Sequence, residues 1–556
     1  MVNVYNFKGL SALSGALALL CSLSCMSDDA TVVDQVELDL DPAPSTEAPA
    51  TSASPGSSAG SGSGVSSTPP SSEGGPSGAE LETDETDEAK TPAAPAPAAP
   101  AAPPAPIEYW SDGVTVNGVS AEQDDRFHGV ALDEQDNVYA VGYLGSGLGE
   151  NRVMLVAKYD SSGKPVDSFG QGGRTLVDFS SYTGTPVSDT LTTADPSNEE
   201  ARDVVLQSDG KIVVVGRSED ANDGAPSTAT PIDIQIFRLD ATGARDSSFG
   251  TLGVTTLNPG NGINELAWGV DIDPSDRIYV FGHGTATNAV DALTPRTDQD
   301  RYVWRLNPDG TLDTTFGNQG SFTFDIPNGT TTLALNDNSR RGRVLPDGRI
   351  VTAGYTGVAG RNQVVLVKLL ENGTPDTSFS TDGIVRLAPF ATGMAEAYGV
   401  AFQSDGSFIT TGYGNVDVER AGGAELLDMV SFRVRPDGTP DPSWGVGGAA
   451  VYNPGDAQDR GRDVTALPDD RMLYAGAATT LGTNKDAMLL LLDKNGAPAK
   501  NFDPAVHKAY DFGGDNEEFF SLQVSPSGKV AAAAGYATGV GLANGNGVLA
   551  IVPIGK

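Results

Sequence analysis

The chain has 556 residues, with 73 acidic against 35 basic side chains and a formal charge of −38. Such a field repels nucleic acid and anionic lipid and favours solubility, cations or basic partners. Histidine (3) and cysteine (2) are too scarce for a Cys/His zinc cluster or a disulfide framework.

Residues 1–25 read as an export signal: Lys8 is the sole charge, Leu10 to Leu23 is apolar with interspersed small residues, and Cys25 follows. Cys25 is the expected lipidation point of an outer-membrane or cell-surface lipoprotein. The alternative is periplasmic or secreted export without a lipid. Cys21 fits less well, because Leu20 would occupy the cleavage position. Contact with a membrane is expected only through that lipid. Residues 26–106 are Ser/Gly-rich, then acidic (Glu80 to Glu88), then Ala/Pro-rich (Pro92 to Pro106). That composition cannot bury a core, and a disordered stalk is expected. Residues 1–106 hold 2 basic and 14 acidic side chains, so residues 107–556 keep 33 and 59, a charge of −26. Both cysteines fall in the leader, which leaves the folded part without thiol chemistry.

From residue 126 onward one phrase recurs. Asp209-Gly210-Lys211-Ile212 precedes Asp246-Ser247-Ser248-Phe249-Gly250, and Asp347-Gly348-Arg349-Ile350 precedes Asp376-Thr377-Ser378-Phe379. With Val204 as anchor, the equivalent positions are Val130, Val270, Gly342, Val400, Val464 and Leu522, at spacings of 58 to 74 residues. Each unit offers three β-branched or alternating runs and then a shorter fourth, which is one blade of a propeller. A glycine closes the second run every time: Gly142, Gly216, Gly282, Gly354, Gly412, Gly476 and Gly535. The seventh unit ends after its third run, while Tyr109 to Val116 reads like the fourth run of unit five. The fold class is therefore all-β: a seven-bladed β-propeller over 107–556, closed by an N-terminal strand that removes two open edges.

Arg305-Leu306-Asn307-Pro308-Asp309-Gly310-Thr311-Leu312-Asp313-Thr314-Thr315-Phe316-Gly317 is the clearest instance of the repeat. At this point the chain resembles the bacterial delta-60 repeat proteins, over nearly all of 126–556. Unit six departs, with Asp469-Asp470 for Asp-Gly and Asn501-Phe502-Asp503 for Ser-Phe-Gly. The resemblance implies a repeat β-fold on extracytoplasmic proteins and supplies no catalytic residues.

Three sets of residues recur with the repeat. Five positions before the anchor stand Asp125, Glu199, Glu265, Asp337, Asp459 and Glu517, with Glu396 shifted by one in unit five. If the first strand is innermost, seven carboxylates would ring the channel mouth, and a subset could hold Ca²⁺. The plain alternative is a structural role, with local pairing to Arg202, Arg340 and Arg462, which alternate with His128, Trp268, Tyr398 and Phe520. Second, Lys158, Arg238, Arg305, Lys368 and Arg433 on the third run match Asp246, Asp313, Asp376 and Asp441, with Asp167 displaced by one. Unit six loses both partners together (Leu491, Ala499), which points to a salt bridge within each blade. Third, Phe169, Phe249, Phe316, Phe379, Trp444, Phe502 and Trp110 are expected to wedge between blades.

No catalytic motif presents itself, and no two histidines share a metal-ligand spacing. Long, dissimilar loops (Ser180 to Asn198, Arg217 to Ile232, His283 to Gln299, Tyr413 to Leu427) fall on one face, opposite the short Asp-Gly turns. Variable loops on a rigid scaffold carry binding sites. The reading is a monomeric, non-enzymatic surface or periplasmic binding module for a protein or polysaccharide. The alternatives are a metal-dependent lyase or hydrolase at the channel mouth, and a purely structural envelope protein.

Overall fold

Each repeat folds as a four-stranded antiparallel sheet, because its Val/Ile runs alternate faces and its Asp-Gly turns allow tight reversals. The computed structural model describes residues 114–117, 124–145, 152–179, 198–219, 232–257, 265–285, 299–325, 337–358, 361–388, 394–415, 427–445, 448–452, 458–479, 484–497, 507–510, 512, 516–538 and 545–554. Among these residues there are 28 strands in seven sheets, and no helix. Within six of the blades the strands lie side by side in chain order, and with the seventh they make the protein an all-β, seven-bladed propeller. The export and stalk segments fall outside the described residues, as do Trp110, Phe502 and most of the long loops.

Blade 7 is completed from the other end of the chain. Val114–Asn117 pairs antiparallel with the last strand, Val114 opposite Ile551 and Asn117 opposite Val548. The sheet thus gains its fourth strand and the ring has no unpaired first or last blade.

Every first strand carries a β-bulge at the same place, between Phe127 and Gly129 in blade 1 and between Ala201 and Asp203 in blade 2, and likewise around the ring. The recurrent glycine of the second strand sits opposite that bulge. A Cβ on Gly142, Gly216, Gly282, Gly354, Gly412, Gly476 or Gly535 would fall inside the carbonyl oxygen of Arg126, Glu200, Leu266, Asn338, Glu396, Arg460 or Glu518. Close backbone approach, not a left-handed angle, is what requires glycine here.

Among the described residues, each blade interface holds one large apolar cluster, from Val130 and Ile551 between blades 1 and 7 to Leu489 and Val548 between blades 6 and 7. Phe169, Phe249, Phe316, Phe379 and Trp444 are each at most 1% exposed. Each is seated against the next blade: the residue after it donates its amide to a turn carbonyl there, as Gly250 does to Asp309 (2.7 Å) and Gly317 to Asn372 (2.8 Å). The turn glycine beside that carbonyl is at positive φ (Gly310, +82°), and a side chain on it would strike the Phe249 ring.

Candidate functional site

The seven carboxylates expected at an open channel mouth lie elsewhere. Asp125, Glu199, Glu265, Asp337, Glu396, Asp459 and Glu517 are all buried, at most 1% exposed. They precede the bulge, and those whose bonds define a direction look toward the blade interface instead of the axis. Asp125 accepts from the Gly547 amide (2.8 Å), Glu199 from Phe179 (2.6 Å) and Glu517 from Phe512 (2.9 Å), all in the preceding blade. Glu396 accepts from Asn362 Nδ2 of the preceding blade (2.5 Å) and from Tyr413 Oη (2.9 Å), and Asp459 from the Thr479 amide (2.9 Å). The expected ring of seven carboxylates around a channel mouth is therefore not what the burial and bonding of these side chains describe.

The bulge turns different residues toward the axis. His128, Arg202, Trp268, Arg340, Tyr398, Arg462 and Phe520 form a ring that alternates cation and aromatic over most of its circuit. The Arg202 guanidinium lies over Trp268 (4.9 Å), Arg340 over Trp268 (4.2 Å) and Tyr398 (4.7 Å), and Arg462 over Tyr398 (4.7 Å) and Phe520 (5.6 Å). His128 packs on Phe520 (5.4 Å). The alternation suits desolvated guanidinium groups, which bind ring faces well. The expected acid–Arg pairs exist one residue further along. Arg202, Arg217 and Arg152 converge on Glu200, and Arg462 meets Glu518 (2.6 Å). Burial would raise the Glu518 carboxyl, yet Arg462 holds it at about 2. Glu200 is likewise held well below its ordinary value, its three arginines outweighing burial. Burial, reinforced by Arg202, keeps His128 well below 6.5 and so neutral.

One residue deeper, large and small side chains alternate: Gly129, Asp203, Gly269, Arg341, Gly399, Asp463 and Ser521. Arg341 of blade 4 reaches across the channel to Asp203 of blade 2 (2.8 Å), Asp463 of blade 6 (3.7 Å) and the Phe520 carbonyl of blade 7 (3.5 Å). Each channel aspartate also accepts an amide from the next blade: Asp203 from Val270 (3.1 Å), Asp271 from Val344 (2.7 Å) and Asp463 from Leu522 (3.0 Å). Burial raises the carboxyl groups of Asp203 and Asp271, with Arg341 and Arg343 opposing. Below this plug, toward the short-turn face, a cavity of about 760 Å³ opens, lined by Leu132, Val205, Asp271, Arg343, Phe402 and Gln523 among others. Recurrence could not reveal this layer, because Asp203, Asp271, Arg341 and Asp463 each differ from their counterparts in neighbouring blades.

In blades 2 to 5 the third-strand basic residue meets its aspartate within the blade. Arg238 reaches Asp246 (3.0 Å), Arg305 Asp313 (2.8 Å), Lys368 Asp376 (3.6 Å) and Arg433 Asp441 (3.3 Å). Lys158 instead lies 3.9 Å from Asp133. The pairs are more than blade-internal. Arg238, Arg305 and Lys368 also donate to the carbonyls of Pro308 (2.5 Å), Glu371 (2.6 Å) and Pro436 (3.5 Å) on the next blade. The long loops on which a ligand site was expected are mostly outside the described residues; the cavity just described is on the opposite face.

The class that fold and channel define is a seven-bladed β-propeller with a plugged axis. A family profile described as "Domain of unknown function (DUF5122) beta-propeller" matches residues 207–249, 294–316 and 345–379, the stretches that carry the turn and Phe-wedge motifs. No curated protein matches the chain. Among solved structures, the chain is similar to a protein of unknown function from Dyadobacter fermentans DSM 18053. That match has 12% identity over 79% of this chain and 98% of the other, with a TM-score of 0.40. It is also similar to a GH93 α-L-arabinofuranosidase of Fusarium graminearum (9%, 79% and 97%, 0.40) and an α-L-arabinanase of Penicillium chrysogenum (9%, 80% and 97%, 0.37). At such identities and scores these likenesses carry no argument about chemistry.

Proposed function

We propose that the chain is a non-enzymatic binding propeller, exported and tethered through Cys25 on its stalk, that holds a protein or polysaccharide segment in the axial cavity of its short-turn face. The observation that carries this reading is the cavity itself: about 760 Å³, its lining divided between apolar side chains such as Leu132, Val205 and Phe402 and polar or charged ones such as Asp271, Arg343 and Gln523. The channel carboxylates already serve the fold: Asp203 and Asp463 pair with Arg341, and both of them, like Asp271 on the cavity wall, accept an amide from the next blade. Such groups suit a rigid floor better than proton transfer. The test is capture of envelope polysaccharides and envelope proteins by the full chain, comparing wild type with Gln523→Trp, which fills the cavity without touching the ion pairs. Capture lost in the variant at unchanged melting temperature sustains the axial site. Equal capture moves the site elsewhere, and release of cleaved glycan products would replace the binding reading with an enzymatic one.

A further inference from the structure

The cleft between blades 3 and 4 gathers three carboxylates that the axial site does not use. Asp300 is the second residue of the third strand of blade 3 (Gln299–Leu306), Asp325 directly follows its fourth strand (Ser321–Phe324), and Asp337 opens the first strand of blade 4 (Asp337–Val344). One oxygen from each lies within 4.8 Å of the others. Two oxygens on opposite sides of a calcium ion, each at ~2.4 Å, stand about that far apart. Asp300 and Asp337 are fully buried, whereas Asp325 is exposed and leaves the cleft open to solvent.

A fourth oxygen points to a ligand independently. Thr356 is 1% exposed and its Oγ1 has no hydrogen-bond partner among the described residues. It stands directly opposite Asp337 in the strand register, so the two side chains share a face. That face looks into the cleft. Four residues earlier on the same unbroken strand, the Thr352 hydroxyl accepts from Arg301 Nη1 of blade 3 (3.2 Å), and residues 352 and 356 lie on one side by the strand's period of two. A buried hydroxyl without a partner carries a cost of about 1–3 kcal/mol, which a bound cation would relieve.

The arrangement also echoes around the ring in the sequence. Asp233, Asn258 and Glu265 occupy the equivalent places after blade 2, Asp428, Asn453 and Asp459 after blade 5, and Asp486, Asp511 and Glu517 after blade 6. The signal that would have found Asp300 is thus the aspartate five residues before the basic residue: Asp233 before Arg238, Asp300 before Arg305, Asp428 before Arg433.

We infer that this interblade cleft is a divalent-cation site, suited to Ca²⁺ by its all-oxygen donors, with Asp300, Asp325, Asp337 and the Thr356 hydroxyl as ligands and water completing the shell. The site is independent of the axial cavity and of whatever binds there.

The experiment uses the full chain, stripped with EDTA and titrated with Tb³⁺ while tryptophan is excited, then back-titrated with Ca²⁺. Trp304, on the same strand as Asp300, is the sensitiser. The expected result is Trp-sensitised emission that Ca²⁺ displaces, with affinity reduced at least tenfold in Asp325→Asn and several-fold in Thr356→Val. Asp325 is exposed, so its variant keeps the fold, and Glu199→Gln in another cleft serves as the control. Absent emission, or equal affinity in wild type, Asp325→Asn and Thr356→Val, overturns the site. A Ca²⁺-induced rise in melting temperature that persists in both variants overturns it equally, because the ion would then sit elsewhere.

Discussion

Gly412 has no room for a methyl group: the Glu396 carbonyl occupies the place where Cβ would go. Overpacking of this kind costs about 1–3 kcal/mol where neighbours can yield, and here the neighbour is backbone. Gly412→Ala is therefore expected to lose about 3 kcal/mol in urea denaturation, and a neutral result would mean the bulge can relax. Glu518 makes a second residue-scale case. Its folded value of about 2 lies below the ordinary 4.5, so its contribution is complete above about pH 4.5 and drains away as pH falls toward 2. His128 is lowered too, so the unfolded chain takes up a proton first below about 6.5, and acid again favours unfolding. Asp203 and Asp271 are raised and work in the opposite sense. A melting curve that falls between pH 4.5 and 2 in wild type, and is flatter in Glu518→Gln, is the expected outcome. The recurrence of an acid before each bulge was plain in the sequence, but its exposure was not. A bulge rotates the strand, and a repeat pattern counts residues without saying which way they then face.

Between elements, one motif does the joining. The Asp-x-Ser/Thr-Phe-Gly phrase buries its Phe against the following blade, sends the next amide to that blade's turn and anchors a basic residue that reaches the same turn. Phe249→Ala should cost about 3–5 kcal/mol by chemical denaturation, the range for a buried aromatic replaced by alanine. Arg341→Met should cost a similar ~3–5 kcal/mol, because Asp203 would stay buried without its ion-pair partner and Asp463 would keep Arg343 but lose Arg341. Restoration by a second change, Asp203→Asn, would identify the unpaired charge as the cause. The blade elements were legible because each appears seven times. The plug was not, since Arg341, Asp203 and Asp463 meet from blades 4, 2 and 6, and sequence spacing holds no trace of that meeting.

At the scale of the whole molecule, stability rests on seven interfaces in a closed circuit. Removing residues 1–118 takes away Val114–Asn117 and leaves the Asn546–Pro553 strand as an open edge. That truncation is expected to melt earlier and to form dimers or larger species by size-exclusion chromatography, whereas removing residues 1–100 leaves both properties unchanged. The same closure sets a timetable. The partners of Val114–Asn117 are residues 548–551, so the pairing that completes the ring joins points more than four hundred residues apart and waits until all seven blades have been made. Contacts of such separation form slowly, after local hairpins have been made. For a chain of this design, the first strand must remain unclaimed until the seventh blade has been synthesised and, if the leader works as proposed, through export. Its brevity, four residues, then reads as an advantage: too short to mispair durably, it becomes secure only when the final blade arrives to receive it.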